Sequence, residues 1–361
     1  MYQYGIKPDF HCEQERTFPV AEKVTHYCPA EFLEGIIFLA PTIVHPDVFD
    51  LFDRKIMAAK SNEPSSALLQ RDIDGVNLFS AYHFINPTVA NTALVMGYNL
   101  GFKNIFLAGI DLGHKKGERH HSKKSIYYNE QQEDQELYQV NENDQIEIDG
   151  NFGGKFICDP FFYQSNSNLS HQVLGFSDLH CFNLSDGALI KGSIPTKLEQ
   201  LVPFFSNKKV LKKAALVSRV YENSIHKDHD LTLFRRLADN LDYELFDAVC
   251  AKLVSINERP INTINDAADL LTMNTVSIRS TTQHVNDLLI GTVMHIQVIL
   301  TQILYGGGNE EESLFLFKKG LVLYRDFLTI APIYYRKNAE NPHYIKDAKW
   351  IVKLRSQSNI T

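Results

Sequence analysis

The sequence predicts an α/β fold: a Rossmann-like, mostly parallel sheet with helices on both faces, followed by an all-α C-terminal helical domain. In the first 195 residues, short apolar runs alternate with helical patterns, as in the strand–helix–strand units of a parallel sheet. After Pro195 the strand patterns end, and apolar residues recur at the helical period of about 3.6 residues. We therefore expect two domains, residues 1–195 and 196–361.

Four segments of the first domain have strand patterns. Ile36–Ala40 and Asn104–Gly109 are short, continuous apolar runs, which are typical of strands covered on both faces. Residues 146–160 alternate in character around three glycines, which predicts a bent strand or a hairpin. Leu179–Leu184 is the fourth strand, and a glycine-containing turn follows it.

Three helices are expected in the same domain. Asp47–Ala59 has helical spacing, a second helix should run from about Asn86 to Gly101, and a third from Pro160 to about Leu174. These helices connect the strands, so the sheet should be parallel.

The second domain shows only helical signals. Thr263 and Asp266 resemble a helix start, and the glycines at 306–308 separate two long helices. The apolar segment Leu288–Tyr305 contains polar residues and is interpreted as a buried helix, not a membrane span. One face of another helix is lined by Leu231, Phe234, Ala238, Leu241, Leu245, Val249 and Leu253.

The net charge and the cysteine content argue against several classes of protein. The 361 residues carry a formal charge of −7, which argues against broad nucleic-acid binding because that needs a basic face. The five cysteines are scattered singly, so we expect reduced thiols and neither a disulfide framework nor a zinc site. The first residues show no signal peptide, and the prediction is a cytoplasmic protein without membrane partners.

The candidate chemistry lies where strands end, because ligands of open parallel sheets bind outside the carboxyl ends of the strands. Asp111 follows the apolar run Asn104–Gly109, and the turn with Ser185 and Gly187 follows the fourth strand. We expect these residues to converge on one crevice. Asp111 could alternatively cap a helix or close a turn.

A polar segment, Gly113–Gln145, follows Asp111 and is long enough to be a functional loop or lid. His120 and His121 could supply a general base, although paired surface histidines are usually solvated, and no third ligand stands at zinc spacing. Tyr127 and Tyr128 could be core aromatics or phenolic donors to a phosphate. The same segment has cationic residues that could hold a phosphate or form a solvated face: Lys115, Lys116, Arg119, Lys123 and Lys124.

Common nucleotide and hydrolase motifs are absent from the sequence. It has no GxxxxGK[ST] loop, no GxGxxG after a first strand and no GxSxG elbow.

Several segments together resemble the motility accessory factor (Maf) family of flagellin glycosyltransferases, within the group that includes hydroxymethylpterin diphosphokinases. The matching segments, in the family's order, are YGIKPDFHCEQER (4–16), INPTVANTALVMGYNLGFKNIFLAGIDLG (85–113), HHSKKSIYY (120–128), IDGNFGGKFICD (148–159) and NLSDGALIKGSIP (183–195). They span most of the first 195 residues.

The resemblance implies a Rossmann-like sheet related to bacterial sialyltransferases, followed by a helical domain. It implies transfer of a nonulosonic acid, of pseudaminic or legionaminic type, from a CMP-sugar to Ser/Thr hydroxyls of flagellin. No cofactor and no divalent metal are expected, since the CMP-sugar is a substrate. It also implies roles for residues: a histidine base, phenols or cations at the leaving phosphate, and Asn86 and Thr88 at a helix N-terminus facing an anion.

The family normally has a first strand and a glycine- and serine-containing phosphate loop upstream of the segment matching GIKPDF. Here the chain begins at that segment, so we expect either a longer natural protein or a shortened form. Two other functions stay open: a pterin-type diphosphokinase that uses ATP and magnesium, and a catalytically weak remnant that binds flagellin or another partner through its helical domain.

Overall fold

The computed structural model describes residues 1–16, 19–61, 63, 66, 81–117, 145–206, 212–225, 242–306 and 308–340. The chain forms two compact units, of which the first comprises residues 1–61 and 80–226 and the second contains the chain from residue 227 onwards. The expected boundary between residues 195 and 196 stays a prediction. The two units are described in turn.

Four strands of the first unit form a parallel sheet in the order β1-β2-β3-β4. They are β1 (Phe10–Cys12), β2 (Ile37–Pro41), β3 (Arg54–Lys60) and β4 (Ala81–Tyr82). Every residue of β2 is buried, as its continuous apolar sequence predicts. The expected parallel sheet is confirmed.

Helices cover this sheet on both faces. Phe38 on β2 packs towards α1 (Pro19–Tyr27), α2 (Ala30–Leu33) and α3 (Pro46–Phe49). The neighbouring residue Leu39 points the other way, as successive strand residues must. It packs with α4 (Val89–Asn99) and, through Val217 and Tyr221, with α7 (Lys213–Ser224).

The prediction of a helix over Asp47–Ala59 is wrong. The structure has one helical turn, α3, and then the strand β3. Val48, Phe52 and Ile56 do recur at helical spacing, but Ile56 pairs with Leu39 in the sheet interior. Sheet pairing and burial therefore override the local helical pattern.

The remaining strands form a second parallel sheet and a hairpin. The sheet has the order β5-β8-β9, with β5 (Asn104–Leu107), β8 (His180–Asn183) and β9 (Ile194–Pro195). Of the two structures predicted for residues 146–160, a bent strand or a hairpin, the hairpin is observed as the antiparallel pair β6 (Ile146–Asp149) and β7 (Lys155–Cys158).

Helix α4 and helix α5 (Pro160–Gly175) pack on one face of β5 and β8, with Leu94, Leu107 and Leu169 in their shared core. On the other face Phe106 stacks on Phe182 and contacts Phe205 of α6 (Leu198–Ser206). Strand β5 is less buried than its sequence predicts. Only its last residue is fully buried, because the strand begins at the surface.

The second unit is a set of packed helices: α8 (Tyr243–Asn257), α9 (Ile264–Arg279), α10 (Gln283–Tyr305) and α11 (Glu310–Glu340). Their core contains Leu253, Leu289 and Tyr324. Thr263 and Asp266 form the expected capping box of α9, and the glycine-rich segment separates α10 from α11. Over its described residues, the prediction of an all-α C-terminal domain is confirmed. Of the predicted long helix, the residues from Leu231 to Leu241 lie outside the described part.

Helix α10 has two different faces. Val285, Leu289 and Val293 are buried, whereas Val298 and Ile299 are about half exposed. Among the described residues, Val285–Tyr305 is the one segment long and apolar enough to cross a membrane by length and composition. No disulfide joins the five cysteines, all of which lie in the described ranges.

Candidate functional site

The turn after β8 lies directly against the segment after β5. The backbone N–H of Ala188 donates to the carbonyl oxygen of Asp111 at 2.7 Å. A Cβ atom at Gly187 would lie only 2.3 Å from that oxygen, so the approach requires glycine. The two strand ends therefore meet in one backbone cluster, as expected for neighbouring parallel strands.

Ser185 connects the same two segments through its side chain. Its hydroxyl oxygen accepts from the backbone N–H of Ile110 at 2.8 Å, and the hydroxyl also hydrogen-bonds to the Asp111 carboxylate. The Asp111 residue is exposed, but the protein around its carboxyl group displaces part of the solvation shell, and this desolvation raises its pKa. The Ser185 hydrogen bond opposes the shift, and the nearby charge of Asp186 adds to it. Lys115 pairs with Asp186 at 2.8 Å. Asp111 is thus a carboxyl group with an elevated proton affinity at the mouth of the sheet.

Two buried asparagines support this turn from below. Asn151 follows β6, and its amide nitrogen donates to the carbonyl oxygens of Asn183 and Ser185, both at 3.0 Å. The side-chain oxygen of Asn183 in turn accepts from the backbone N–H of Ser185 at 3.1 Å. The Oδ1 atom of Asn151 and the Nδ2 atom of Asn183 are buried, and neither has a hydrogen-bond partner among the described residues. These orphaned groups mark a polar interior beneath the turn.

A second cluster lies at the start of α4. The hydroxyl of Thr88 donates to Asn91 Oδ1 at 2.9 Å, and the N-cap N–H of Thr88 bonds the same side chain. The Thr88 and Ser165 hydroxyls are 2.8 Å apart. Thr88 therefore fixes the helix start to α5.

The segment before α4 has four consecutive carbonyl groups that accept hydrogen bonds from side chains. Phe84 O accepts from Gln172 at 2.7 Å, and Asn86 O accepts from Asn168 at 2.7 Å. The two other pairs are Ile85 O with Thr92 at 3.0 Å and Pro87 O with Gln14 at 2.9 Å. Thr92 also donates to Gln14 Oε1. This polypeptide segment, residues 84–88, is termed the pinned segment below.

Helix α5 holds both clusters. Its buried residues Asn168 and Gln172 bond the pinned segment, while Asn166 donates to the carbonyl oxygen of Leu189 at 3.0 Å. Ser170 accepts from the backbone N–H of Lys191 at 3.0 Å. A helix rich in buried Ser, Asn and Gln thus satisfies the backbone polar groups of two irregular segments, as buried polar groups require.

The structure brings some of the sequence-predicted residues together. Asp111, Ser185 and Gly187 share one cluster, and Asn86 and Thr88 share the other. Other candidates lie outside the described residues: His120, His121, Tyr127, Tyr128, Arg119, Lys123 and Lys124. Within the described ranges, no group of three or more His, Cys, Asp or Glu side chains is arranged to hold a metal ion.

Sequence reasoning missed Asn151, Asn183 and the polar face of α5. The run QSNSNLSHQ (164–172) was a usable signal, because Ser and Asn disfavour helix interiors unless their side chains have partners. Asn151 stands in the segment IDGNF, between a strand and a glycine pair. Its partners come from residues more than thirty positions away, which no local pattern reveals.

Two comparisons with known proteins give matches. Residues 1–117 match a family model described as "6-hydroxymethylpterin diphosphokinase MptE-like". The fold is similar to that of a Maf glycosyltransferase from Magnetospirillum magneticum AMB-1, with a TM-score of 0.62 and 19% sequence identity. That likeness covers 94% of this chain and 50% of the other, so this chain spans about half the length of the Magnetospirillum protein. No curated protein matches. The structural likeness shows that this chain shares the fold of the Magnetospirillum protein.

Proposed function

We propose that this chain is a glycosyltransferase that transfers a nonulosonic acid from a CMP-sugar to Ser/Thr hydroxyls of flagellin. The supporting observation is the convergence of Asp111, Ser185 and Gly187 at the ends of two parallel strands. This convergence occurs in a fold that resembles that of a Maf glycosyltransferase. This chain spans about half of the Magnetospirillum protein. The complete glycosyltransferase activity is therefore also part of what we propose for this chain.

The proposed reaction joins an acceptor hydroxyl oxygen to the anomeric carbon of the sugar. The bond from that carbon to the phosphate oxygen breaks, and CMP leaves with the bonding electrons. The acceptor proton goes to a base, for which we propose His120 or His121. Asp111 would stabilise the imidazolium that results or take the proton itself. The raised pKa of Asp111 makes its carboxylate a better proton acceptor than an ordinary aspartate, which favours the second role.

The leaving phosphate needs positive charge or hydrogen-bond donors. We propose that Tyr127 or Tyr128 donates to it, together with the N-terminal end of α4. Thr88 would act indirectly, because its hydroxyl is engaged with Asn91 and Ser165. Asn86 is exposed, and its backbone is fixed by Asn168, so its side chain can face a ligand.

Ligand-induced thermal stabilisation tests the nucleotide. A ligand that binds the folded state alone raises the melting temperature. We expect CMP or the CMP-nonulosonate to protect the protein more than ATP with magnesium. If neither CMP nor ATP with magnesium raises the melting temperature, the result would contradict an enzymatic function and favour the protein-binding remnant.

One observation favours a second candidate function. The family model that matches residues 1–117 is described as diphosphokinase-like, and such a reaction uses ATP and magnesium. A larger thermal shift with ATP and magnesium than with CMP would select this function.

A further inference from the structure

Phe84, the first residue of the pinned segment, has an unusual backbone. It follows β4, and its φ angle is +60°, in the left-handed region that bulky side chains rarely adopt. A glycine or asparagine would occupy this conformation at a lower cost in free energy. The phenylalanine is therefore retained against a local preference, and such positions cluster at ligand-binding sites.

The surroundings of Phe84 hold this conformation in place. The amide of Gln172 donates to the Phe84 carbonyl oxygen at 2.7 Å, and each of the next three carbonyls accepts from a different side chain. Gln172 is 3% exposed, and these four bonds are buried or partly buried. The backbone of residues 84–87 is thus anchored at four consecutive carbonyl groups, and the Phe84 ring extends from this anchored backbone.

The ring itself is half exposed. Its side chain is 51% accessible and stacks on the exposed His171 ring, with centroids 5.4 Å apart and planes 11° from parallel. His171 is held by a hydrogen bond of 2.7 Å between its Nδ1 atom and the carbonyl oxygen of Ser167. The two rings form a flat aromatic surface that is open to solvent.

We propose that Phe84, backed by His171, stacks against the base of the nucleotide. This assignment rests on the proposed function, since it takes the donor to be a nucleotide-sugar. A planar base recognises an exposed, rigid aromatic ring because both have flat π faces. Phe84 follows the carboxyl end of β4, and ligands of parallel sheets bind beyond the carboxyl ends of strands. Its position in the fold is therefore suitable for contact with a nucleotide.

Phe84→Asn separates this role from a structural one, because asparagine accepts the left-handed backbone but cannot stack. Wild type and variant would be titrated calorimetrically with CMP, UMP, AMP, GMP and ribose 5-phosphate, and their melting temperatures compared. Phe102→Asn is the matched control: Phe102 is 40% exposed and lies before β5, at its amino end.

We expect Phe84→Asn to weaken CMP binding on the order of 10- to 100-fold. Ribose 5-phosphate binding and the melting temperature should change little, and Phe102→Asn should bind CMP as wild type does.

The possible results test two proposals separately: stacking of a base on Phe84, and a CMP-sugar as the donor substrate. Unchanged CMP affinity in Phe84→Asn, with a lowered melting temperature, overturns the stacking role and leaves the proposed function intact. Binding of AMP or GMP in preference to CMP, weakened by the variant, upholds stacking and overturns the CMP-sugar donor. If no nucleotide binds wild type more tightly than ribose 5-phosphate, the stacking role is overturned as well.

Discussion

Gly187 and Asp111 define the candidate site at the scale of single residues. The Asp111 backbone lies so close to Gly187 that any side chain at position 187 must displace main-chain atoms. Main chain cannot move aside as a flexible side chain can, so the turn depends on this glycine. Its neighbour Ser185 adds the hydroxyl that links Ile110 and Asp111.

Gly187→Ala should destabilise the protein by about 2 kcal/mol, because an extra methyl group forces backbone shifts in a packed region. Urea denaturation monitored by circular dichroism measures the change. Gly175→Ala is the control. Gly175 ends α5, where an added methyl group would meet open space, so this variant should be neutral or stabilise the protein by about 0.5 kcal/mol. Equal stability of the two variants would contradict the close approach.

The raised pKa of Asp111 predicts a pH-dependent stability difference. Partial desolvation penalises the charged carboxylate in the folded state, so the cost is absent below the ordinary pKa of 3.8 and fully present above the raised folded-state pKa. Asp111→Asn should therefore be more stable than wild type at pH 7, with the difference vanishing as the pH falls below 3.8. Urea midpoints at several pH values give the difference. A variant less stable than wild type at pH 7 would refute the effect.

At the scale of elements, α5 is the part that the sequence describes least directly. Its boundaries are close to the prediction, because Asp159 caps it and proline begins it. Its Ser, Asn and Gln residues make tertiary contacts, because their side chains hydrogen-bond to backbone groups of two segments that are distant in sequence. The strand β3 was missed for the same reason: its partner β2 decides its conformation.

Asn168→Ala should cost about 1–3 kcal/mol, because it leaves the partly buried Asn86 carbonyl without its side-chain donor. Ser167→Ala, one residue away on the same helix, should change the free energy of unfolding by about 0.5 kcal/mol or less. Chemical denaturation of both variants makes the comparison. A similar loss in both would show that the substitutions act through the helix and not through the pinned segment.

In the helical unit, Leu253→Ala should cost about 2–5 kcal/mol, because Leu253 is fully buried among apolar neighbours. Leu323→Ala, at a position 71% exposed on α11, should change the free energy of unfolding by about 0.5 kcal/mol or less. Thermal and urea denaturation measure both. Equal effects would contradict the packing described for this unit.

At the scale of the whole molecule, the sequence predicts the fold class well and the site incompletely. Continuous apolar runs such as Ile37–Pro41 identify strands of a parallel sheet, and the rule for strand ends brings Asp111 to Ser185. The same rules do not show that Phe84 adopts a left-handed backbone or that Asn151 lies under the turn. Those features depend on contacts between residues far apart in the chain.

The central claim is that the cluster around Asp111 handles a CMP-activated sugar. The most direct test measures release of CMP from the CMP-nonulosonate in the presence of flagellin, for wild type, Asp111→Asn and Asp178→Asn. Asp178 is the matched control, because it pairs with Tyr98 and Lys103 at the opposite end of β5 and β8. We predict turnover by wild type and by Asp178→Asn, and a loss of about 100-fold in Asp111→Asn with CMP affinity retained. No turnover by wild type, or normal turnover by Asp111→Asn, would contradict the account.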